Sequence, residues 1–343
     1  MTEIGTYHKH GDIMIKGWVE RDGQKLSTQE VENLLINTPE SITHCGGEFY
    51  ISGKSCKARD YLGIVQGDCP KGTLQCRGTQ QFLIDPDIPD LPLDKAIVAA
   101  VQLRNDEGVT ALSGGIDSTL VAYLAQRECV AVGMKDSHDL DRASAVSQKL
   151  GLSCTCVQIV PQEIESALPV VLGIIPQKDP VNTAIALTQY FIARWAGEQG
   201  FERILTGQGA DELFGGYSRY LTTKSLEEDL TRDFCGLELQ AQRDQAVAAL
   251  YGTYLSMPYL DLRVVRAAQK IPAEKKVSDG KRKIPLREVA EQFIPADIAW
   301  YEKKAMQYGS GVAKELQRLA RHNGYKTSLQ GYLDRIIREE HDH

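Results

Sequence analysis

Residues 109–127 read VTALSGGIDSTLVAYLAQR, a short apolar run, two adjacent glycines and then a helical run. A buried strand that passes into a helix through Gly114 and Gly115 can bend its backbone sharply there, because neither residue carries a Cβ. Successive N–H groups then point into one concavity, and the helix that follows adds its positive N-terminal end. Ser113 and Ser118 bring hydroxyl groups to the same place. The result is an anion cradle, most naturally for phosphate. Asp117 sits poorly beside phosphate without a cation between them, which implies Mg²⁺. The competing reading is an ordinary strand-to-helix turn capped by Ser and Asp; the full SGGxDS pattern at the end of a buried strand favours phosphate. No GxxxxGK[ST] run occurs, so the loop is not of the Walker type.

The flanking chain supports an α/β reading from residue 93 onward. LDKAIVAAVQLRN has helical periodicity, and STLVAYLAQR places Leu120, Val121, Leu124 and Ala125 on one face. CVAVGM reads as a strand, DLDRASAVSQKLG as a helix closing at Gly151, and CTCVQIV as a strand with Cys154 and Cys156 in the core. A long helix over about 181–199 and the strand RILT follow, and the chain beyond 220 reads as mostly helical. Strands alternating with helices predict a parallel sheet with right-handed crossovers.

The first ninety residues have a different rhythm. GDIMIKGWV predicts a strand, ERDGQ a turn, and STQEVENLLINT a helix whose Ser27 and Glu30 have capping-box spacing. GGEFYISG and the segment after it predict further strands joined by tight turns. The proline- and aspartate-rich IDPDIPDLPLD reads as a linker. The expected organisation is a small α+β domain over 1–88, rich in antiparallel strands, and a second domain over 89–343.

A chain of 343 residues suits two domains. The net charge of −7 gives no general nucleic-acid signature, and no run approaches the ~18 apolar residues of a membrane span. The N-terminus lacks the apolar core of a signal peptide, so the expected location is the cytoplasm. Cys45, Cys56, Cys69 and Cys76 lie close together without a CxxC pair, and the reading is reduced, partly buried thiols rather than a metal site.

SGGIDS resembles the phosphate loop (PP-loop) of the N-type ATP pyrophosphatases, and TGQGADELFGGY at 206–217 narrows the match to the asparagine synthetase and β-lactam synthetase family. AVGMKDSHDLDRASAVSQKLG, MPYLDLRVV, KIPLREV and AWYEKKA extend the resemblance, in order, over roughly residues 90–312. It implies a Rossmann-like, adenine nucleotide α-hydrolase-like domain with a helical C-terminal part, using ATP and Mg²⁺. In the implied reaction a substrate carboxylate attacks the α phosphorus, pyrophosphate leaves, and an amine then expels AMP from the acyl-adenylate. Asp117 and Asp211 carry over as the Mg²⁺ carboxylates, and Lys303, with Lys304 beside it, as the lysine facing the phosphates. Ser113, Gly114, Gly115 and Ser118 carry over to the phosphates; Leu112, Val132, Thr206 and Gly207 carry over to adenosine. Leu112 and Val132 read equally well as strand core, and Asp211 as a helix cap.

Two departures shape the expectation. Glutamine-dependent members begin with a catalytic cysteine where this sequence has Thr2, and their glutaminase domain is about twice as long. GGEFYISGKSCKARDYLGI resembles part of that domain, including Arg59 and Asp60, so residues 1–88 read as a shortened glutaminase-like domain without its nucleophile. The expected donor is then ammonia, delivered free or by a partner protein, or an amine on the substrate. The second departure is Gln208, where asparagine synthetases carry glutamate; an amide cannot act as a base near neutral pH. Aspartate is the default carboxylate. Alternative readings are adenylation of tRNA or of a modified peptide or cofactor precursor, with the basic run KKVSDGKRK at 275–283 as an RNA contact or, more simply, a solvated loop, and a non-catalytic nucleotide-binding subunit. A homodimer is compatible with all of these.

Overall fold

The computed structural model describes residues 8–10, 13–77, 80–302 and 309–341. Thr2, Lys303 and Lys304 lie outside them. The chain forms two compact units. One comprises residues 1–106, 208–241 and 256–289; the other comprises 107–207, 242–255 and 290–343.

The first unit is built on an antiparallel sheet of β1 (His8–His10), β2 (Ile13–Arg21), β3 (Gln24–Lys25), β4 (Gly46–Ser52), β5 (Cys56–Arg59), β6 (Thr73–Cys76) and β7 (Gln80–Leu83). The order is β1-β2-β4-β5-β6-β7, with β3 paired to β2. Asp22 and Gly23 both take positive φ in the tight turn before β3, as the turn residues predict. Helix α1 (Thr28–Asn37) opens with the expected capping box: Ser27 Oγ accepts from Glu30 N, and the Glu30 carboxylate accepts from Ser27 N. Its Val31 and Leu35 pack with Ile15, Val19, Phe49, Ile51 and Leu74 of the sheet. Helix α2 (Leu93–Gln102) follows the proline-rich segment and packs on the helix Leu262–Gln269.

Beneath this sheet lies a buried ionic network. Arg104 bridges Glu48, at 3.0 Å, and Asp261, at 3.0 Å, and Arg263 pairs with Glu20 through two bonds of 2.8 and 2.7 Å. Glu48 also accepts from Trp18 Nε1, Ser256 Oγ and Met257 N. The carboxyl of Asp261 is held below its ordinary range by Arg104 and Arg263 against the pull of burial. Buried charges persist when their donors and acceptors are matched, as they are here.

The second unit carries the predicted α/β sheet: β8 (Val109–Ala111), β9 (Cys129–Met134), β10 (Cys154–Ile159), β11 (Arg203–Leu205) and β12 (Tyr254–Ser256), in the order β10-β9-β8-β11-β12. The ladders β10–β9, β9–β8 and β8–β11 are parallel. Helices α3 (Ile116–Ala125), α4 (His138–Leu150), α5 (Pro161–Ile174) and α6 (Pro180–Glu198) make the crossovers. Helix α4 ends at Gly151, which takes φ 66°, as the sequence predicts. Helix α3 is buried on more than one face, with Leu124 only half-buried, so the simple amphipathic stripe does not hold.

Three further expectations need correction. Cys56 and Cys76 form a disulfide, because they stand directly opposite one another on β5 and β6. Cys156 is exposed and Cys154 half-buried, because CTCVQI is the edge strand of its sheet rather than a core strand. The basic run is not a solvated loop throughout: Lys276 and Lys283 are buried. Among the described residues no helix is long and apolar enough to cross a membrane.

Candidate active site

In the parallel sheet the chain runs outward from β8 to β9 to β10, then returns to place β11 on the other side of β8. That reversal makes the gap beyond the carboxyl ends of β8 and β11 a topological switch point, where open α/β sheets bind ligands. The SGGIDS loop leaves β8 there, and Thr206 and Gly207 leave β11 there.

The loop has the cradle geometry that its glycines suggested. Leu112 N donates to Val130 O at 2.8 Å, which carries the pairing one residue past β8. Gly114 then takes φ 71°, in the left-handed region, and Gly115 is the N-cap of α3 with no side chain over the helix end. Ser118, buried in the first turn, reaches back: its Oγ accepts from Ser113 N at 3.1 Å, lies 2.9 Å from Ser113 Oγ, and donates to Gly115 O at 3.3 Å. Asp117 stands beside it in the same turn.

Gly207 closes this loop from the β11 side. A Cβ on Gly207 would lie 2.8 Å from both Asp117 Cβ and Ser118 N, so only glycine lets the β11 turn rest on the first turn of α3. Leu112, Val132 and Thr206 are buried nearby on the same sheet. Leu112 packs with Ala122, Cys129, Ala131 and Ala143, so it serves the core whatever else it contacts.

The other half of the motif belongs to the first unit. Gln208 is half-buried, and Gly209, with φ 87°, caps the short helix Ala210–Phe214. Asp211 is therefore inside the first turn rather than at the cap. Its Oδ1 lies 2.7 Å from Lys283 Nζ. Lys283 is buried and takes φ 56°, a strained backbone for a residue with a Cβ. Gly216 leaves room for the pair: a Cβ there would collide with Asp211 Oδ1 and Lys283 Cε. Glu212 is buried and accepts from Tyr217 Oη at 2.5 Å and Gln240 Nε2 at 2.9 Å; burial, and then the charge of Asp211, push its carboxyl above the usual range. Lys283 was visible in KIPLREV, but its role needed a partner 72 positions away.

The residues of this motif match a known group over most of the chain: residues 93–253 and 237–341 fit the asparagine synthase family model. The chain belongs to the asparagine synthase family. A protein of Methanocaldococcus jannaschii named as a glutamine-hydrolyzing asparagine synthetase is 31% identical over 294 residues, covering 73% of this chain and 54% of the relative. Asparagine synthetase B of Escherichia coli is 30% identical, covering 59% of this chain and 41% of its own length. The carboxyethyl-arginine beta-lactam-synthase of Streptomyces clavuligerus is 28% identical, with 68% and 46% covered. This asparagine synthase family member spans about half the length of those relatives.

Proposed function

We propose that the protein is an ATP-dependent, AMP-forming carbon–nitrogen ligase that adenylates a substrate carboxylate and then transfers an amine to it. The observation that carries this reading is the loop at the switch point, with Gly207 seated on Asp117 and Ser118. Its backbone N–H groups and the start of α3 present positive dipoles to a phosphate chain. In the first step a carboxylate oxygen bonds to the α phosphorus, the bond from that phosphorus to the bridging oxygen breaks, and pyrophosphate leaves. In the second, the amine nitrogen bonds to the acyl carbon, the bond from that carbon to the oxygen bridging it to phosphorus breaks, AMP leaves with that oxygen, and the nitrogen loses a proton. Both steps concentrate negative charge, so fixed donors and cations are the main contribution expected of the protein.

Asp117 and Asp211 are hard oxygen donors of the kind Mg²⁺ takes, and Mg²⁺ with phosphate oxygens needs one or two carboxylates. Bound Mg²⁺ would neutralise charge on the phosphates. Lys283 would orient Asp211, and Lys303 is assigned to the phosphates on its motif alone.

Aspartate is the proposed carboxylate and ammonia, or an amine on the substrate, the proposed donor. Among the described residues of 1–88, the cysteines are not built as nucleophiles. Cys56 and Cys76 are paired, and burial pushes the Cys69 thiol up to about 11 and raises Cys45. A nucleophilic cysteine needs a lowered pKa and access, and these have neither. The basic run offers tRNA little, since two of its lysines are buried.

The test is Mg²⁺-dependent ATP–pyrophosphate exchange across a panel of carboxylic acids headed by aspartate. Exchange that requires aspartate supports the reading; ATP binding without exchange on any acid of the panel overturns the small-carboxylate substrate.

A further inference from the structure

Behind the phosphate loop, within the second unit, lies a cation for which the reaction above gives no role. Arg142 projects from the second turn of α4, and its Cγ passes over Gly114, where a Cβ would be 2.5 Å away. Its guanidinium lies over the ring of Tyr301, 3.8 Å from the centroid. Tyr301 is held in turn by His138, whose Nε2 is 2.7 Å from the phenol oxygen and whose ring stacks at 14°. Arg142 is thus gripped on two sides, by a loop glycine and by an anchored aromatic ring.

What the guanidinium lacks is an acceptor. Its Nε and Nη2 are screened from solvent and have no hydrogen-bond partner among the described residues. A guanidinium stays charged at any physiological pH, so burying two of its nitrogens without an acceptor is unfavourable. The nearby carboxylate Asp297 does not supply one: its oxygen is 2.6 Å from Lys149, which, more than the field of Arg142, holds that carboxyl below the usual range. The SGGIDS loop lies immediately beside Arg142, against its stem at Gly114.

We infer that Arg142 is a further phosphate-binding residue, its planar fork directed at the pyrophosphate portion of the nucleotide held by the loop. The ligand class is a polyphosphate: the β and γ phosphates of ATP before the reaction and free pyrophosphate after it. A fork of parallel N–H donors matches two phosphate oxygens, and stacking on Tyr301 fixes its plane before the ligand arrives. Gly114 is then required twice, for its positive φ and for the passage of the arginine stem. The inference rests on the adenylating reading of the site.

The deciding experiment is calorimetric titration of full-length wild type, Arg142→Met and Arg142→Lys with inorganic pyrophosphate plus Mg²⁺, and separately with AMP. Methionine keeps an unbranched stem over Gly114 and against the ring. The expected result is pyrophosphate binding weakened at least tenfold in Arg142→Met and at least threefold in Arg142→Lys, with AMP affinity within twofold of wild type in both. Wild-type binding of pyrophosphate that Arg142→Met leaves within twofold overturns the role of Arg142 and leaves the ligase reading intact. Equal weakening of AMP and pyrophosphate also overturns it, since that reports general damage to the loop. Should the methionine variant fail to show a cooperative thermal transition, wild-type affinity in Arg142→Lys decides against the inference. If the wild type binds AMP but not pyrophosphate, the adenylating reading itself falls.

Discussion

The ammonium of Lys283 sits 2.7 Å from Oδ1 of Asp211, on a backbone whose positive φ puts the lysine where a relaxed chain would not. Lys283 is buried while Asp211 remains 41% exposed, so the pair presents one carboxylate edge and anchors it from behind. We expect Lys283→Met to cost only about 1 kcal/mol of stability, because one partner is well solvated. If Asp211 holds Mg²⁺ as proposed, the rate should suffer more: loss of the group that fixes such a carboxylate can cost about 100-fold through misplacement alone. Gly216→Ala should reproduce the effect by forcing the same two side chains apart. Exchange rates and urea midpoints for the three proteins check both halves; a proportional loss of stability and rate would remove Lys283 from the site.

Glu48 gathers four donors, from Trp18, Arg104, Ser256 and Met257, all buried. Glu48→Gln keeps the shape but leaves Arg104 short of one counter-charge in a dry setting. Breaking one partner of such a buried pair costs about 3–5 kcal/mol. The unfolding free energy of Glu48→Gln from urea titration should fall by that amount, while Glu48→Gln, Arg104→Met together should recover part of it. No recovery in the double variant would mean that Arg104 and Glu48 are not energetically coupled.

Gly207→Ala is expected to damage nucleotide binding more than folding. The added methyl meets Asp117 Cβ and Ser118 N at 2.8 Å, and backbone on one side leaves little room to yield. Overpacking of this kind costs about 1–3 kcal/mol. The strain falls on the turn that shapes the loop, so ATP affinity should drop at least tenfold. Wild-type affinity in Gly207→Ala would show that the β11 turn does not set the loop.

Asp60 gives a pH dependence with a definite sign. It accepts from Ile64 N at 2.9 Å and Val65 N at 3.0 Å, yet burial pushes its carboxyl up to about 6. A carboxyl raised in the folded state stabilises fully below its unfolded value, near 4, and that contribution is lost as pH rises through 6. The loss is on the order of 3 kcal/mol between those limits. Asp60→Asn should flatten the change, so the difference between wild-type and variant urea midpoints, measured at pH 4.5 and pH 7, must shift in the variant's favour at the higher pH. A constant difference would show that Asp60 is ionised in both states.

What could be read in advance was local. The glycines of SGGIDS, the capping box at Ser27 and Glu30 and the Gly151 stop act over a few residues, and each is present in the fold. What escaped depends on partners far along the chain. Helix α5 was missed because Pro169 and a branched apolar run mask its period. The burial of Lys276 and Lys283 has no local signal, because a basic run reads as solvated until Asp211 is brought to it. Cys56 and Cys76 could be paired only once β5 and β6 had a register. In the sequence Arg142 is one more helical charge; only its stem over Gly114 and the ring of Tyr301 set it apart.

Gln208 follows Gly207 in the chain and precedes a glycine at φ 87°, so its side chain leaves a turn that holds it at the motif's centre. An amide there can accept and donate hydrogen bonds but cannot take the proton that an attacking ammonia must lose. General base catalysis contributes about 100- to 10,000-fold where it operates. Gln208→Glu should therefore raise ammonia-dependent asparagine formation at least tenfold, with a rate that climbs as the new carboxyl ionises, while ATP–pyrophosphate exchange stays within a few-fold of wild type. The checks are product formation with ammonium and aspartate from pH 5 to 9, and exchange on the same preparations. An unchanged rate beside intact exchange would move the limitation away from position 208, and a donor amine carried by the substrate would then fit better than ammonia.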